Sequence, residues 1–155
     1  MSTSGFMLMV DSENLIMLFI GLEIGSISLY ALAGLNRVDK LSNEASLKYF
    51  LLGSLASCIF IYGVSLVYVS FSVLSVYDFA TGVGFVGADS VPLTTKLGVI
   101  LIFIGLLFKI AAAPFQSWAP DVYQGSPTGY VGYMASIAKA SAFIAVSYTH
   151  LTLPT

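Results

Sequence analysis

Three apolar, helix-length stretches of this chain each hold one ionisable residue near the middle: Glu23, Lys109 and Lys139. A charge at the centre of a bilayer costs about 2.5 to 3.5 kcal/mol on insertion scales, and more in simulations. Residues kept at that cost face a bundle interior or a wet cavity, as parts of ion or proton routes. The charges here are of both signs, which suits a proton relay better than a simple anchor.

Composition agrees with a membrane setting. Of 155 residues, 57% are hydrophobic and only 9% charged, with a mean hydropathy of +0.92. An average soluble domain is about 25% charged, so the chain reads as an integral membrane protein. A net charge of −2 and the lack of any basic run argue against nucleic acid as a partner. Cys58, the single cysteine, lies in an apolar run and reads as lipid-facing or packing material. The first ten residues lack the basic start of a cleavable signal peptide, and Asp11 and Glu13 then break the apolar run.

Residues 1–14 are too short and too acidic to span, and read as the end of a preceding helix or an interfacial lead-in. Leu15 to Leu35 forms a first span, with Asp11, Ser12 and Asn14 as candidate caps. A polar connection at 36–45 holds Arg37 and Lys40. The second span runs from about Ala45 to Val69, with Lys48 near its start. Residues 70–96 read as a Ser- and Gly-rich loop ending near Pro92. The third span runs from Leu97 to about Trp118, and Pro114 predicts a kink or break one turn past Lys109. Residues 119–128 hold two prolines and a glycine and read as a loop. The fourth span begins near Gly129 and contains Lys139. After Ala145, the stretch VSYTHLTLPT (146–155) has the look of sequencing-adapter read-through, and His150, the only histidine, lies in it and is assigned no role. With four alternating spans, the 36–45 and 119–128 connections share one face. Positive-inside reasoning puts that face in the cytoplasm or its equivalent.

Each candidate site residue has two readings. Glu23 lies between Gly21 and Gly25, a small-xxx-small pattern that lets a neighbouring helix approach closely. It is either a carboxylate that changes protonation state as a cation comes and goes, or a hydrogen-bonding residue of a packing helix. Lys109 is either a proton carrier, balanced between desolvation and a carboxylate, or a structural lysine beside a proline kink. A helix broken at membrane depth exposes backbone groups that need protein or a wet cavity, and transporters build midplane sites from such helices. Lys139 sits among Ala135, Ser136, Ala138, Ala140 and Ser141, which leave room for water; its alternative is a lysine bonded to a carbonyl. Lys48 either joins the route or snorkels to the headgroups. Asp121 reads as a loop or capping residue. The glycines of GVGFVG at 82–87 have neither a following helix signature nor an acidic partner, so no nucleotide loop is read there. No hydrolase elbow or metal cluster is present in the sequence.

These residues fall in motifs that resemble one family. LFIGLEIGSISLYALAGLNR, SNEASLKYFLLGSLASCIFIYGVSLVY, LLFKIAAAPFQSWAPDVYQGSPT and SIAKASAF are similar to the N subunit of proton-pumping NADH:quinone oxidoreductase, subunit 2 of mitochondrial complex I. The form WAPDVYQGSPT resembles the N subunit more than the L and M subunits or the sodium/proton antiporter subunits. The resemblance covers nearly all of residues 8–145.

It implies an all-α, polytopic transmembrane bundle, the antiporter-like first repeat with a helix discontinuous at Pro114, of which residues 15–145 supply four helices. It implies that Glu23 matches the glutamate of the family's fifth helix, Lys48 a lysine of the sixth, Lys109 the lysine of the broken seventh and Lys139 that of the eighth. Glu23 and Lys109 would pair, and Lys139 would link them to a central hydrophilic axis. Where the family often has Pro-Phe-His, this chain has Pro114-Phe115-Gln116, and Gln116 cannot carry a proton as imidazole does. The inverted second repeat is missing, so the chain reads as an internal fragment, unlikely to be active by itself.

The implied function is that of a non-redox membrane subunit in proton translocation coupled to quinone reduction. No cofactor is expected on this chain; NADH, FMN, iron–sulfur clusters and quinone belong to the parent complex. The expected partners are other membrane subunits of complex I, the lipid bilayer and protons. The expected location is the bacterial cytoplasmic membrane, with a mitochondrial or other organellar inner membrane as the alternative. The alternatives in function are a cation/proton antiporter subunit without redox coupling, or a purely structural membrane subunit.

Overall fold

Polar residues between the apolar runs set most helix boundaries. The computed structural model describes residues 1–87 and 90–152, with side chains through Ala145 and at Ser147. A ten-residue helix, α1 (Ser2–Asp11), leads into α2 (Leu15–Ala33). Asn14 caps α2: its side-chain oxygen accepts from the Ile16 and Met17 N–H groups at 2.9 and 3.4 Å. Asp39 does the same for α3 (Lys40–Phe71), accepting from the Leu41 N–H at 3.0 Å. At 32 residues, α3 runs on the order of 48 Å at 1.5 Å per residue, longer than a hydrocarbon layer of about 30 Å. Among the described residues, α2 and α3 are the two helices long and apolar enough to cross a membrane.

The stretch expected as a glycine-rich loop contains a helix, α4 (Val76–Val86). Ser75 accepts from the Asp78 N–H at 3.3 Å, and Asp78 itself lies in the positive first turn. That start signal outweighs Gly82 and Gly84, each of which costs a helix about 1 kcal/mol relative to alanine. Residues 88 and 89 of the expected loop lie outside the described set.

The expected third span is not one helix. After Pro92, α5 (Leu93–Lys109) stops at the lysine itself rather than a turn later. A 3-10 turn (Phe115–Ser117) comes next, inside the expected span, and then a short helix, α6 (Trp118–Gly125), where a loop was expected. Pro120 did not prevent that helix because it stands in the first turn, where a missing N–H leaves no bond unmade. The last element, α7 (Thr128–Thr152), extends through residues 146–152 of the stretch read as adapter; residues 153–155 lie outside the described set.

Glycines set close helix contacts. A Cβ at Gly21 would lie 2.5 Å from the Met9 nitrogen, so α1 and α2 meet backbone to backbone. A Cβ at Gly63 would lie 2.6 Å from the Gly98 oxygen, joining α3 to α5 in the same way. Phe6, Met9, Leu18, Leu22, Phe60 and Leu106 fill the interior between these pairs. Leu47, Leu51, Leu55, Cys58 and Tyr62 are exposed along the outer side of α3, as a lipid-facing surface would be.

The two ends of the bundle differ. At one end the α1–α2 and α3–α4 connections bond to each other, Leu15 N–H to Leu74 O at 2.9 Å and Val76 N–H to Glu13 O at 2.8 Å. At the other end α6 lies on the first turns of α3, where a Cβ at Gly125 would be 2.5 Å from the Leu41 oxygen.

Candidate ion-pair site

Helix α2 has two working faces. Residues two positions apart lie roughly 200° apart around a helix, so Gly21 and Gly25 turn to α1 while Glu23 turns the other way. Ser26 and Tyr30 come three and seven positions after Glu23, on the same face. The glycine spacing read from the sequence thus serves α1, and the ionisable face serves the interior.

Lys109, the last residue of α5, meets that face. Its side chain is 9% exposed and Glu23's is 23% exposed, with 3.6 Å between Nζ and Oε1. The Nζ donates to the Tyr30 hydroxyl at 2.9 Å and to the Ser26 Oγ at 3.1 Å. Ser57 of α3 donates to the same Glu23 oxygen that faces the lysine. One turn earlier on α3, Gly53 leaves the space that the Tyr30 hydroxyl occupies.

The break after Lys109 is a Schellman-type end. Ala111, at φ +55°, is left-handed; its N–H bonds to Phe108 O at 3.1 Å, and the Ala112 N–H reaches back to Leu107 O at 3.0 Å. The position is one where glycine is usual, because a Cβ there is disfavoured. The Trp118 indole N–H donates to Phe108 O at 3.1 Å, using that carbonyl's remaining capacity. Trp118 stacks on Tyr49 (4.8 Å between centroids), and Tyr49 meets Tyr30 edge-on at 4.7 Å. An aromatic column therefore runs from the helix break to the lysine's hydroxyl partner.

Lys109, Ser26 and Tyr49 also line a narrow cavity of about 10 Å³, open to the centre of a water-sized sphere, with Ala138 and Ala142 of α7 on its far wall. That is about the room one water needs. Lys139, next to Ala138, is half-buried, with Nζ 5.7 Å from the Tyr123 ring of α6, a cation–π contact.

Lys48 stands apart, at the α6 end of the bundle. It bonds Glu44 at 2.8 Å and Asp121 at 2.9 Å, with side chains 43% and 58% exposed. The three line an open recess of about 200 Å³ with Leu41, Gln124 and Gly125. Asp121, read as a loop or cap, is thus in the first turn of α6 and paired across to α3. Gln116 is exposed in the 3-10 turn. The sequence alone did not single out Ser57, Tyr30, Tyr49 or Trp118. For Tyr30 a signal existed, its seven-residue spacing from Glu23. Among the described residues, no group of three His, Cys, Asp or Glu side chains is placed to hold a metal ion.

Membrane-length apolar helices around a nearly buried lysine–carboxylate pair define an α-helical membrane protein with an ionisable interior. Residues 12–154 match the family described as NADH:quinone oxidoreductase/Mrp antiporter, transmembrane, and the chain belongs to that family. It is homologous to NADH-quinone oxidoreductase subunit N of many bacteria. It is 50% identical over 142 residues to subunit N 1 of Chloroherpeton thalassium, covering 92% of this chain and 29% of that one. It is 47% identical over 143 residues to subunit N of Magnetococcus marinus, again covering 92% and 29%. Among solved structures it resembles a chain of respiratory complex I from Thermus thermophilus with bound aureothin: TM-score 0.78, 41% identity, 92% of this chain and 30% of that one. It also resembles a chain of the membrane-bound sulfane sulfur reductase, an archaeal respiratory membrane complex: TM-score 0.84, 29% identity, covering 96% and 30%. The chain therefore spans under a third of the length of the relatives it matches.

Proposed function

We propose that this chain is the ion-pair region of a non-redox membrane subunit of a proton-translocating NADH:quinone oxidoreductase. The observation that carries this is the Glu23–Lys109 pair, nearly buried and set where α5 ends, in a chain half identical to a subunit N. In this reading α5 and α6 are the two parts of one interrupted membrane helix, and residues 15–145 form four spans of the antiporter-like repeat.

The mechanism rests on charge. Glu23 stabilises protonated Lys109 through the field between them, which is strong where water is scarce. A signal from redox chemistry elsewhere in the complex separates the pair, and Lys109 releases its proton toward Lys139. Glu23 pairs again on reset. Lys48, in its open recess, takes up protons from the aqueous end. NADH, FMN, iron–sulfur clusters and quinone act elsewhere in the parent complex, and other membrane subunits of that complex are this chain's partners. The bacterial relatives support a bacterial cytoplasmic membrane, and Arg37 and Lys40 put the 36–45 connection on its inner side.

The test replaces the matching 142-residue stretch of the Chloroherpeton thalassium subunit with this chain and measures NADH oxidation and proton uptake in membrane vesicles. Lys109→Met is expected to assemble, and to lose pumping. A Lys109→Met complex that pumps at the parent rate sinks the proposal.

The higher TM-score to the archaeal reductase complex favours a second reading, an antiporter-like subunit in a complex with different redox chemistry. The greater identity to the complex I chain, 41% against 29%, favours the first. Pumping that requires sodium, or that fails to track NADH oxidation in the chimera, would select the second.

A further inference from the structure

Ser57 is buried at 6% exposure and reaches two acceptors at once, Glu23 Oε1 and, one turn back on its own helix, the Gly53 carbonyl at 3.0 Å. A hydroxyl has one proton and two lone pairs, so it cannot donate to both. Lys109, meanwhile, is held by Tyr30 and Ser26 at 2.9 and 3.1 Å. Its distance of 3.6 Å to Glu23 exceeds the usual 2.7 to 2.9 Å of an N–H···carboxylate bond. The pair faces across a gap, and each member has hydroxyl partners of its own.

We infer that Ser57 is a positioning residue that satisfies Glu23 in both of its protonation states, so that Lys109 can leave without stranding a buried carboxyl. When Glu23 is ionised, the Ser57 hydroxyl donates to Oε1. When Lys109 has moved away and Glu23, 23% exposed, takes up a proton from water, its O–H donates to the Ser57 oxygen, and the Ser57 proton turns to the Gly53 carbonyl. No covalent bond of the serine changes; one hydroxyl rotates. Ser54, on the same helix, shows the contrast: its hydroxyl bonds the Phe50 carbonyl one turn back, at 2.7 Å, an exposed bond outside the pair. This inference rests on the proton-transfer reading of the Glu23–Lys109 pair.

The experiment uses the same chimeric complex, with assembly monitored on native gels. Ser57→Ala should assemble and pump about tenfold more slowly, the scale of one hydrogen bond to a charged group. Ser57→Thr, which keeps the hydroxyl, should restore the rate. The isotope-edited infrared carboxyl bands of Glu23 should move in Ser57→Ala and stay in place in Ser57→Thr, a shift that loss of packing alone would not produce. Should Ser57→Ala fail to assemble, Ser57→Cys, similar in volume but a weak donor, takes its place with the same expectations. Parental pumping in Ser57→Ala or Ser57→Cys, with Lys109→Met inactive, overturns the role of Ser57 alone. Parental pumping in Lys109→Met overturns the reading beneath it.

Discussion

Lys48 and Lys109 each pair with a carboxylate on another helix, and the closer contact belongs to the more exposed lysine. Lys48 touches Glu44 and Asp121 at 2.8 and 2.9 Å, yet its side chain is 43% exposed. Lys109 stands 3.6 Å from Glu23 but is only 9% exposed. Water screens the first set, so that its strength fades with salt. The second is shielded, and its attraction persists over a gap that would matter little in water. In the proposed mechanism, burial rather than contact distance decides which lysine can translate a change of partner into a change of charge. It also explains the hydroxyls. Lys48 has solvent to complete its shell, whereas Lys109 needs Ser26 and Tyr30 to stand in for it.

The sharpest way to break this contrast is to remove the buried counter-charge and leave the lysine. Glu23→Gln keeps the shape of the side chain and strands an ammonium among apolar helices. Removing one partner of a buried pair costs about 3 to 5 kcal/mol, so a marked drop in the thermal midpoint of the chimeric complex is expected, with pumping lost. Adding Lys109→Met should recover part of that midpoint, because no unpaired charge remains, while pumping stays absent. A double variant no more stable than Glu23→Gln would show that the two side chains do not interact.

A smaller effect is expected from Tyr30→Phe. The ring still fills the groove at Gly53 and meets Tyr49, but one of the two hydroxyls on Lys109 is gone. A hydrogen bond to a charged group contributes about 1.5 to 3 kcal/mol, and Ser26 with a water in the narrow cavity can replace part of it. Pumping should fall several-fold rather than vanish, with assembly unchanged. An unaffected rate would mean that the tyrosine hydroxyl is incidental to the lysine.

The sequence exposed the charges more readily than their arrangement. Glu23 and Lys109 stand out because the residues around them are apolar, and Asn14 stands out as a cap because it precedes an apolar run. Which faces meet is a different matter. Tyr30 and Lys109 are 79 residues apart, and hydropathy says nothing about contacts at that separation; the expected pairing came from family resemblance. Ser57 was hidden among other serines of α3, since Ser54, Ser65 and Ser70 look the same in one dimension and only the helix face separates them. The short helices failed for a further reason. The prolines and glycines of residues 70–96 and 119–128 argue for loops, but Ser75 with Asp78, and Pro120 in a first turn, are starting signals whose sense depends on position. At the break the proline drew attention one turn too late. The chain turns at Ala111, whose left-handed backbone no residue type announces.

Lys48→Met is the mildest expected change and the best probe of the comparison's other half. With the ammonium gone, Glu44 and Asp121 stay hydrated in an open recess of about 200 Å³, and water can deliver protons there in the lysine's place. Pumping by the chimera should fall by roughly twofold or less at ordinary salt, in keeping with the small worth of exposed pairs. The difference from the parent should shrink further as ionic strength rises and the Debye length falls from about 10 Å at 0.1 M to about 3 Å at 1 M. The recess also joins α6 to α3, so loss of the bridge tests whether α6 is held by charge or by the backbone contact between Gly125 and Leu41; near-parental assembly is the expected answer. A Lys48→Met complex as inactive as Lys109→Met would reverse the ranking. Exposure would then not distinguish the two lysines, and proton uptake would depend on Lys48 itself rather than on the water around it.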